Sequence, residues 1–463
     1  MSSPEVFDIA VVGSGPAGQK AAICGAKAGK RVVLIEQERE IGGACVRRGT
    51  IPSKTLRETA LAYSTFQRKT GGMFPLATPQ HLLVEGMMSR LGEVISAHEK
   101  FMAEQLGRNG ILVWHGRASF SSPHELSVTP LRGERRALSA GTIVLAPGSR
   151  PRMPDDVPVD HEHILDSDSI LSMHYLPRSL AVLGAGVIAC EYASIFAALG
   201  VKVTLIDKAA RPLAFLEPEL TDHFVGALER QDGKFLGGRT TREVAFDGAA
   251  VQIELDDGTH VEAEKVLCAL GRVANVEGLE LENAGVKLNS RGLIIVDEHC
   301  RTASPGIYAV GDVIGPPSLA ASAMEQGRRA VSHALDIPAG QAAELIPTGV
   351  YCIPEMASVG LTEIRARELH GSVTMGRASF AEIARGQIAA VDGLLKLVTD
   401  TSDGRILGVH IVGEGASELV AVGQVAIQSN WRVEQLIETI FNFPTLAEAY
   451  RVAALDVVKR RTT

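Results

Sequence analysis

An α/β fold is predicted, with two βαβ units in series and a smaller α+β region after them. Three observations predict it. The apolar run Phe7-Asp8-Ile9-Ala10-Val11-Val12 breaks at Gly13-Ser14-Gly15-Pro16-Ala17-Gly18; an alanine-rich helical stretch follows, and the strand Arg31-Val32-Val33-Leu34-Ile35 ends in Glu36. The same order then returns. Ser179-Leu180-Ala181-Val182-Leu183 leads into Gly184-Ala185-Gly186-Val187-Ile188-Ala189, a helix, and Val201-Lys202-Val203-Thr204-Leu205-Ile206 ending in Asp207. From about Ile346, strands alternate with helices and no glycine fingerprint recurs.

Each part of the repeated unit has a physical job. The first glycines allow a tight turn and let a pyrophosphate approach the helix N-terminus. The third position needs only to be small, so Ala189 serves where Gly18 does. A carboxylate closing the second strand accepts hydrogen bonds from ribose hydroxyls. The distance from first glycine to acid is 23 residues in both copies, Gly13 to Glu36 and Gly184 to Asp207. These are therefore two Rossmann-like dinucleotide-binding domains. Two copies imply two dinucleotides, and a redox-type residue between them points to FAD with NAD(P).

Between and beyond the two units the reading is coarser. Residues 57–110 read mostly as helix, interrupted near Gly71 to Pro79. Strands are expected at 111–118 and 142–146, with a turn and crossover at Pro147-Gly148-Ser149-Arg150-Pro151. Segment 151–178, including His161 and His163, reads as loop. Strands follow at 251–255, at 265–270 before Gly271-Arg272, and at 306–310 before Gly311-Asp312; a helix spans 322–335. Further strands are expected at 358–361, 394–398 and 406–412. The domain boundaries implied are 1–150 with 272–345, 151–271, and 346–463.

Composition narrows the function class. Of 463 residues, 46% are hydrophobic, enough for several cores. A net charge of −8 argues against nucleic acid and against an anionic membrane as partner. The six cysteines are scattered, with no C-x-x-C pair or zinc-finger spacing, so no structural metal is expected and a reducing cytoplasmic setting is. The opening residues run almost directly into a strand, and no apolar run reaches membrane-spanning length.

The stretch most suggestive of chemistry is Gly42-Gly43-Ala44-Cys45-Val46-Arg47-Arg48-Gly49-Thr50-Ile51-Pro52-Ser53-Lys54. It places a thiol and an amine just after the first dinucleotide unit. Cys45 also fits a small packing residue.

The motif order Gly13-x-Gly15-x-x-Gly18, Ile51-Pro52-Ser53-Lys54, Gly184-x-Gly186-x-x-Ala189-x-Glu191, Gly271-Arg272 and Gly311-Asp312 resembles the flavoprotein pyridine nucleotide-disulfide reductase superfamily over nearly the whole chain. Two stretches are similar to its soluble (Si-specific) NAD(P)+ transhydrogenases. One is Cys45-x-x-x-Gly49-Thr50-Ile51-Pro52-Ser53-Lys54, with Thr50 where the reductases carry a second cysteine. The other runs from Phe441 to Leu455, with Phe443 where they carry the thiol-activating histidine, while Glu448 remains. A dithiol mechanism needs both missing groups.

The resemblance implies roles. Glu36 would hold the FAD ribose, Gly42, Gly43 and Cys45 would line the flavin, and Asp312 would bind its ribityl chain. Lys54 would lie near flavin N5 and pair with Glu191, although the two also fit a purely structural ion pair. The helix after Ser318-Leu319-Ala320 would aim its N-terminus at flavin N1/O2, favouring the anionic reduced ring. Gly116, Gly148, Gly184, Gly186, Ile188 and Gly271 complete the cofactor-binding positions, and Lys54, Glu191, Cys45 and Thr50 the catalytic set. Residues 346–463 would form a homodimer interface.

The expected function is FAD-dependent transhydrogenation between NAD(H) and NADP(H). An NAD(P)H:acceptor reductase is the nearest alternative, followed by a lipoamide-type dehydrogenase and a non-catalytic flavin redox sensor. Asp207 suits the two ribose hydroxyls of NAD. It repels the roughly −2 charge of the NADP 2′-phosphate. Lys208 and Arg211 lie where they can offset that repulsion, and both also fit ordinary surface charges.

Overall fold

The computed structural model describes residues 4–70, 80–130, 132–340 and 345–462. The Gly71 to Pro79 interruption lies outside them. The chain divides into two compact units, Met1–Thr55 with Leu82–Arg152 and Gly271–Ala342, and Leu56–His81 with Met153–Leu270 and Ala343–Thr463.

The first unit is built on a six-stranded sheet. Its parallel centre sets Glu5–Val12 between Val32–Glu36 and Arg136–Leu145, with Leu112–Ser122 and Ile307–Ala309 outside them. All five residues of Val32–Glu36 are buried, as expected for a parallel strand covered on both faces. Side chains alternate: Ile9, Val11 and Leu34 enter one core with the helix Pro16–Lys27, while Ala10, Val12, Val33 and Ile35 enter another with Trp114 and Phe120. Helices Pro16–Lys27 and Ala320–Ala334 meet backbone to backbone. A Cβ on Gly327 would lie 2.1 Å from the Ala17 carbonyl oxygen.

The second unit holds a five-stranded parallel sheet in the order Lys234–Gly237, Lys202–Asp207, Ser179–Leu183, Lys265–Cys268, Ile164–Asp166. A three-stranded antiparallel sheet, Thr241–Phe246, Val251–Leu255 and His260–Ala263, accompanies it. The later residues form a five-stranded antiparallel sheet, ordered Thr348–Val350, Met356–Gly360, Ile406–Gly413, Gly393–Asp400, Val373–Ser379. Helices Ala416–Gln428, Val433–Glu438 and Glu448–Thr462 share its core.

Several short elements differ from the sequence reading. Segment 151–178 is not all loop: Ile164–Asp166 adds an edge strand to the parallel sheet, and Ser169–Ser172 forms a 3₁₀ turn. Three residues give too little periodicity to register as a strand. His163 stacks on Phe246, with ring centroids 3.8 Å apart. Strands Lys234–Gly237 and Thr241–Phe246 were not expected; both lie at sheet edges and leave most side chains half-buried or exposed, which removes the apolar signal. The helix expected at 322–335 begins at Ala320. Among the described residues, no helix is long and apolar enough to cross a membrane.

A buried charge cluster closes the second unit. Lys396 Nζ donates to Glu217 Oε2 at 2.9 Å, Glu219 Oε1 at 2.7 Å and Glu363 Oε2 at 2.8 Å, and its side chain is 2% exposed. Arg377 grips Glu219 with two bonds of 2.7 Å each. The three carboxylates are close enough together to ligate a metal, but the Lys396 ammonium already fills the cation position. The cluster fixes the start of the helix Pro218–Glu229 against the antiparallel sheet.

Candidate functional site

The first glycine turn is shaped by backbone contact. Gly13 has φ +102°, and a Cβ there would lie 2.2 Å from the Ala146 oxygen. A Cβ on Gly18 would fall 1.9 Å from the Gly13 oxygen, so the helix sits directly on the turn. Gly15 is different: the space its Cβ would enter is open for 4 Å. Gly15 also caps the helix Pro16–Lys27 without any side-chain hydrogen bond, leaving the first helical N–H groups to a ligand. An open glycine at an uncapped helix N-terminus fits a pyrophosphate.

Glu36 is 5% exposed and braces this turn. Its Oε2 accepts from the Ser14 N–H at 2.9 Å and the Ser14 hydroxyl at 2.5 Å, and its Oε1 accepts from the Glu38 N–H at 2.9 Å. Ser14 Oγ in turn accepts from the Gly42 N–H at 2.8 Å. Gly42 and Gly43 are both left-handed, at φ +116° and +60°, and a Cβ on Gly43 would come 3.0 Å from Gly15 Cα. Glycine is required here because the two loops press together.

Cys45 follows on the short helix Gly43–Arg47, and Thr50 and Lys54 on the first turns of Thr50–Thr70. Burial pushes the Cys45 thiol up from its ordinary value; a hydrogen bond with Thr50 and the charge of Lys54 pull it partly back, and Asp312 pushes it up again. The thiol is therefore held protonated, the unreactive form. The same interactions place Cys45, Thr50, Lys54 and Asp312 within one electrostatic neighbourhood. Lys54 Nζ donates to Ser53 Oγ at 3.3 Å.

Asp312 is held by a relay that sequence reading missed. Ser149 Oγ donates to Asp312 Oδ2 at 2.6 Å, and Arg272 donates from Nε to Ser149 Oγ at 2.8 Å and from Nη2 to the Ser149 oxygen at 2.7 Å. Arg272 was legible only as half of the Gly271-Arg272 motif. Gly271 and Gly148 are left-handed with open space at the Cβ position, and Ala320 opens an uncapped helix. Gly116 is a packing glycine, its Cβ position 2.6 Å from the Thr129 oxygen.

In the second unit the geometry repeats. Gly184 has φ +102° and would carry a Cβ 2.6 Å from the Ala269 oxygen; Gly186 faces open space and caps the helix Val187–Ala198 without a side-chain bond. Ile188 lies half-buried in that first turn, and Ala189 is fully buried. Asp207 Oδ2 accepts from the Ala185 N–H at 2.7 Å and Oδ1 from the Ala209 N–H at 2.6 Å. Lys208 and Arg211 are exposed, and the Arg211 guanidinium meets the Asp222 carboxylate. The backbone N–H of Arg239 donates to the Asp207 backbone carbonyl at 3.0 Å, and its side chain pairs with Asp257 at 2.9 Å. Glu191, 3% exposed, accepts the Tyr351 N–H at 3.0 Å.

Comparison with known proteins gives a consistent result. The family model for pyridine nucleotide-disulphide oxidoreductases matches residues 7–327, and that for their dimerisation domain matches residues 346–454. The chain is 42% identical over 458 residues to a soluble pyridine nucleotide transhydrogenase of Mycobacterium bovis, covering 98% of this chain and 97% of the relative. It is 41% identical to the protein of that name in Chromohalobacter salexigens, covering 98% of both chains. Among solved structures, LpdA of Mycobacterium tuberculosis superposes with a TM-score of 0.89 at 27% identity, covering 98% of this chain and all of the other. The flavoprotein disulfide reductase RclA of Escherichia coli gives 0.88 at 26%, covering 97% and 99%.

Proposed function

Because the chain belongs to the pyridine nucleotide-disulphide oxidoreductase family, we infer that it is an FAD-dependent transhydrogenase moving hydride between NAD(H) and NADP(H). One observation carries this within the family: Cys45 is a single thiol hydrogen-bonded to Thr50, which stands where a second sulfur would be, so no internal disulfide can form. FAD, when bound, supplies the two-electron chemistry. The chain supplies binding and electrostatics.

Residues 1–150 and 272–345 are assigned to FAD, 151–271 to NAD(P), and 346–463 to a homodimer interface. The first glycine turn and Glu36 hold the FAD diphosphate and ribose, and Asp312 its polyol. Lys54 contributes a cation that favours arrival of hydride. In the nucleotide pocket, Asp207 takes the ribose hydroxyls of NAD(H), while Arg211, with Lys208, takes the 2′-phosphate of NADP(H). Exposed Ile440, Phe443 and Leu455 in the C-terminal region support a second copy as its partner. None of the six cysteines forms a disulfide, which supports the cytoplasm as its location.

The test is anaerobic reduction of the yellow protein with NADH, then addition of a thio-NADP+ analogue. Reoxidation by the analogue is expected; reoxidation by quinone alone would instead make the protein an acceptor reductase. Cys45→Ser is expected to keep hydride transfer to NADP+ within about fivefold, ~1 kcal/mol. A loss of several orders of magnitude with FAD still bound would show that the thiol acts.

A further inference from the structure

Transhydrogenation sets a problem that the nucleotide pocket must solve. One pocket must accept a ribose bearing two hydroxyls and then a ribose bearing a phosphate. A fixed cation would favour NADP(H) throughout, and a bare carboxylate would favour NAD(H). The loop after Asp207 contains a cation that already has an anion of its own. Arg211 Nη1 meets Asp222 Oδ1 and lies 3.5 Å from the Pro218 oxygen. Resting on the Arg211 assignment made above, we propose that Asp222 is a specificity-determining residue: an internal stand-in for the 2′-phosphate that holds Arg211 while NAD(H) is bound and yields it to NADP(H).

The two partners are mounted differently. Asp222 lies on the helix Pro218–Glu229, whose first turn is locked through Glu219 to Arg377 and Lys396. Arg211 lies in the connection between Lys202–Asp207 and that helix. The carboxylate is therefore the fixed partner and the guanidinium the moving one. Their side chains are 49% and 60% exposed, so the pair is solvent-screened and weak enough to exchange. A phosphate brings nearly two negative charges and a geometry that a guanidinium grips with two bonds, so it displaces a single exposed carboxylate. NAD(H) offers no such group. With Arg211 held on Asp222, its charge is neutralised and Asp207 alone meets the ribose.

The experiment uses the FAD-loaded protein with Asp222→Asn, Arg211→Ala and the double variant. Binding of 2′,5′-ADP and 5′-ADP is measured by calorimetry, and kcat/KM for NADPH and NADH by turnover. Asp222→Asn is expected to tighten 2′,5′-ADP and raise kcat/KM for NADPH about threefold to fivefold, the range one exposed ion pair supports. 5′-ADP and NADH should stay within twofold. In the Arg211→Ala background, Asp222→Asn should change nothing. The proposal is overturned if Asp222→Asn leaves the phosphate preference unchanged while Arg211→Ala lowers it, if both nucleotides shift together, or if the gain persists without Arg211. If Arg211→Ala itself leaves 2′,5′-ADP binding unchanged, the Arg211 assignment fails, and the proposal fails with it, leaving the transhydrogenase reading to the thio-NADP+ test.

Discussion

Lys396→Met is expected to cost about 3–5 kcal/mol of stability, the range for removing one partner of a buried ion cluster. The methionine fills much the same volume, so the loss is electrostatic. Three carboxylates that share one ammonium would be left facing one another. Glu219 and Glu363 have second cations, Arg377 and Arg367. His410, 1% exposed and 3.9 Å from Glu217, gives little help: desolvation pushes its pKa down and keeps it neutral. The pH dependence gives a second signature. Hydrogen bonding from Arg377 first, then from Lys396, holds Glu219 down at about 2, and Lys396 and Arg367 also lower Glu363. A carboxylate whose folded pKa is depressed stabilises the fold above its unfolded value, near 4.5, and that stability is lost as pH falls toward the folded value. The wild type should therefore lose stability between about pH 4.5 and 2. The gap between wild type and variant should be widest at neutral pH and narrow through that window. Urea midpoints measured from pH 7 down to pH 3 check both statements; a gap independent of pH would show that the cluster is not what the substitution disturbs.

Gly327→Ala is the second large effect. Gly327 has no unusual backbone angle to protect, so the argument is purely steric. Its Cβ would meet the Ala17 oxygen at 2.1 Å, the Ala17 carbonyl carbon at 3.0 Å and the Ala21 nitrogen at 3.2 Å. All three are backbone atoms of the opposing helix, which cannot rotate out of the way. Overpacking of this kind costs typically about 1–3 kcal/mol. Here it also prises apart the two helices that carry the Gly15 turn and the segment after Asp312. The expected result is a protein that loses its FAD on purification as well as stability. Gly107→Ala, on a helix surface with nothing within 4 Å, is the control and should gain up to about 1 kcal/mol. Flavin absorbance relative to protein absorbance and urea midpoints for the two variants check this. Full FAD retention by Gly327→Ala would mean that the helices yield more easily than their contact implies.

What was legible in the sequence was local. The glycine turns and their acids are read from spacing within some two dozen residues, and in the structure each acid accepts an N–H from its turn. Cys45, Thr50, Lys54 and Asp312 were legible because each sits in a short motif. The missed groups act over distance. Arg272 reaches Ser149 across 123 residues and Ser149 reaches Asp312 across 163, so no window of sequence contains the relay. Lys396 meets Glu217 across 179 residues. A lysine in a run such as Leu394 to Val398 reads as the polar face of an amphipathic strand, whereas the fold buries it under three carboxylates. The short edge strands were lost for the opposite reason: they are local but bury too little to leave a pattern.

The two glycine turns differ in one atom, and with it in how their acids are held. In the first, the residue between the glycines is Ser14, whose hydroxyl ties Glu36 and Gly42 to the turn and seals the acid from water. In the second, the equivalent residue is Ala185, which offers Asp207 only its N–H, and Asp207 remains partly exposed. On the proposed transhydrogenase reading, the sealed acid suits a prosthetic group kept through every cycle, and the open one suits two nucleotides that alternate within each.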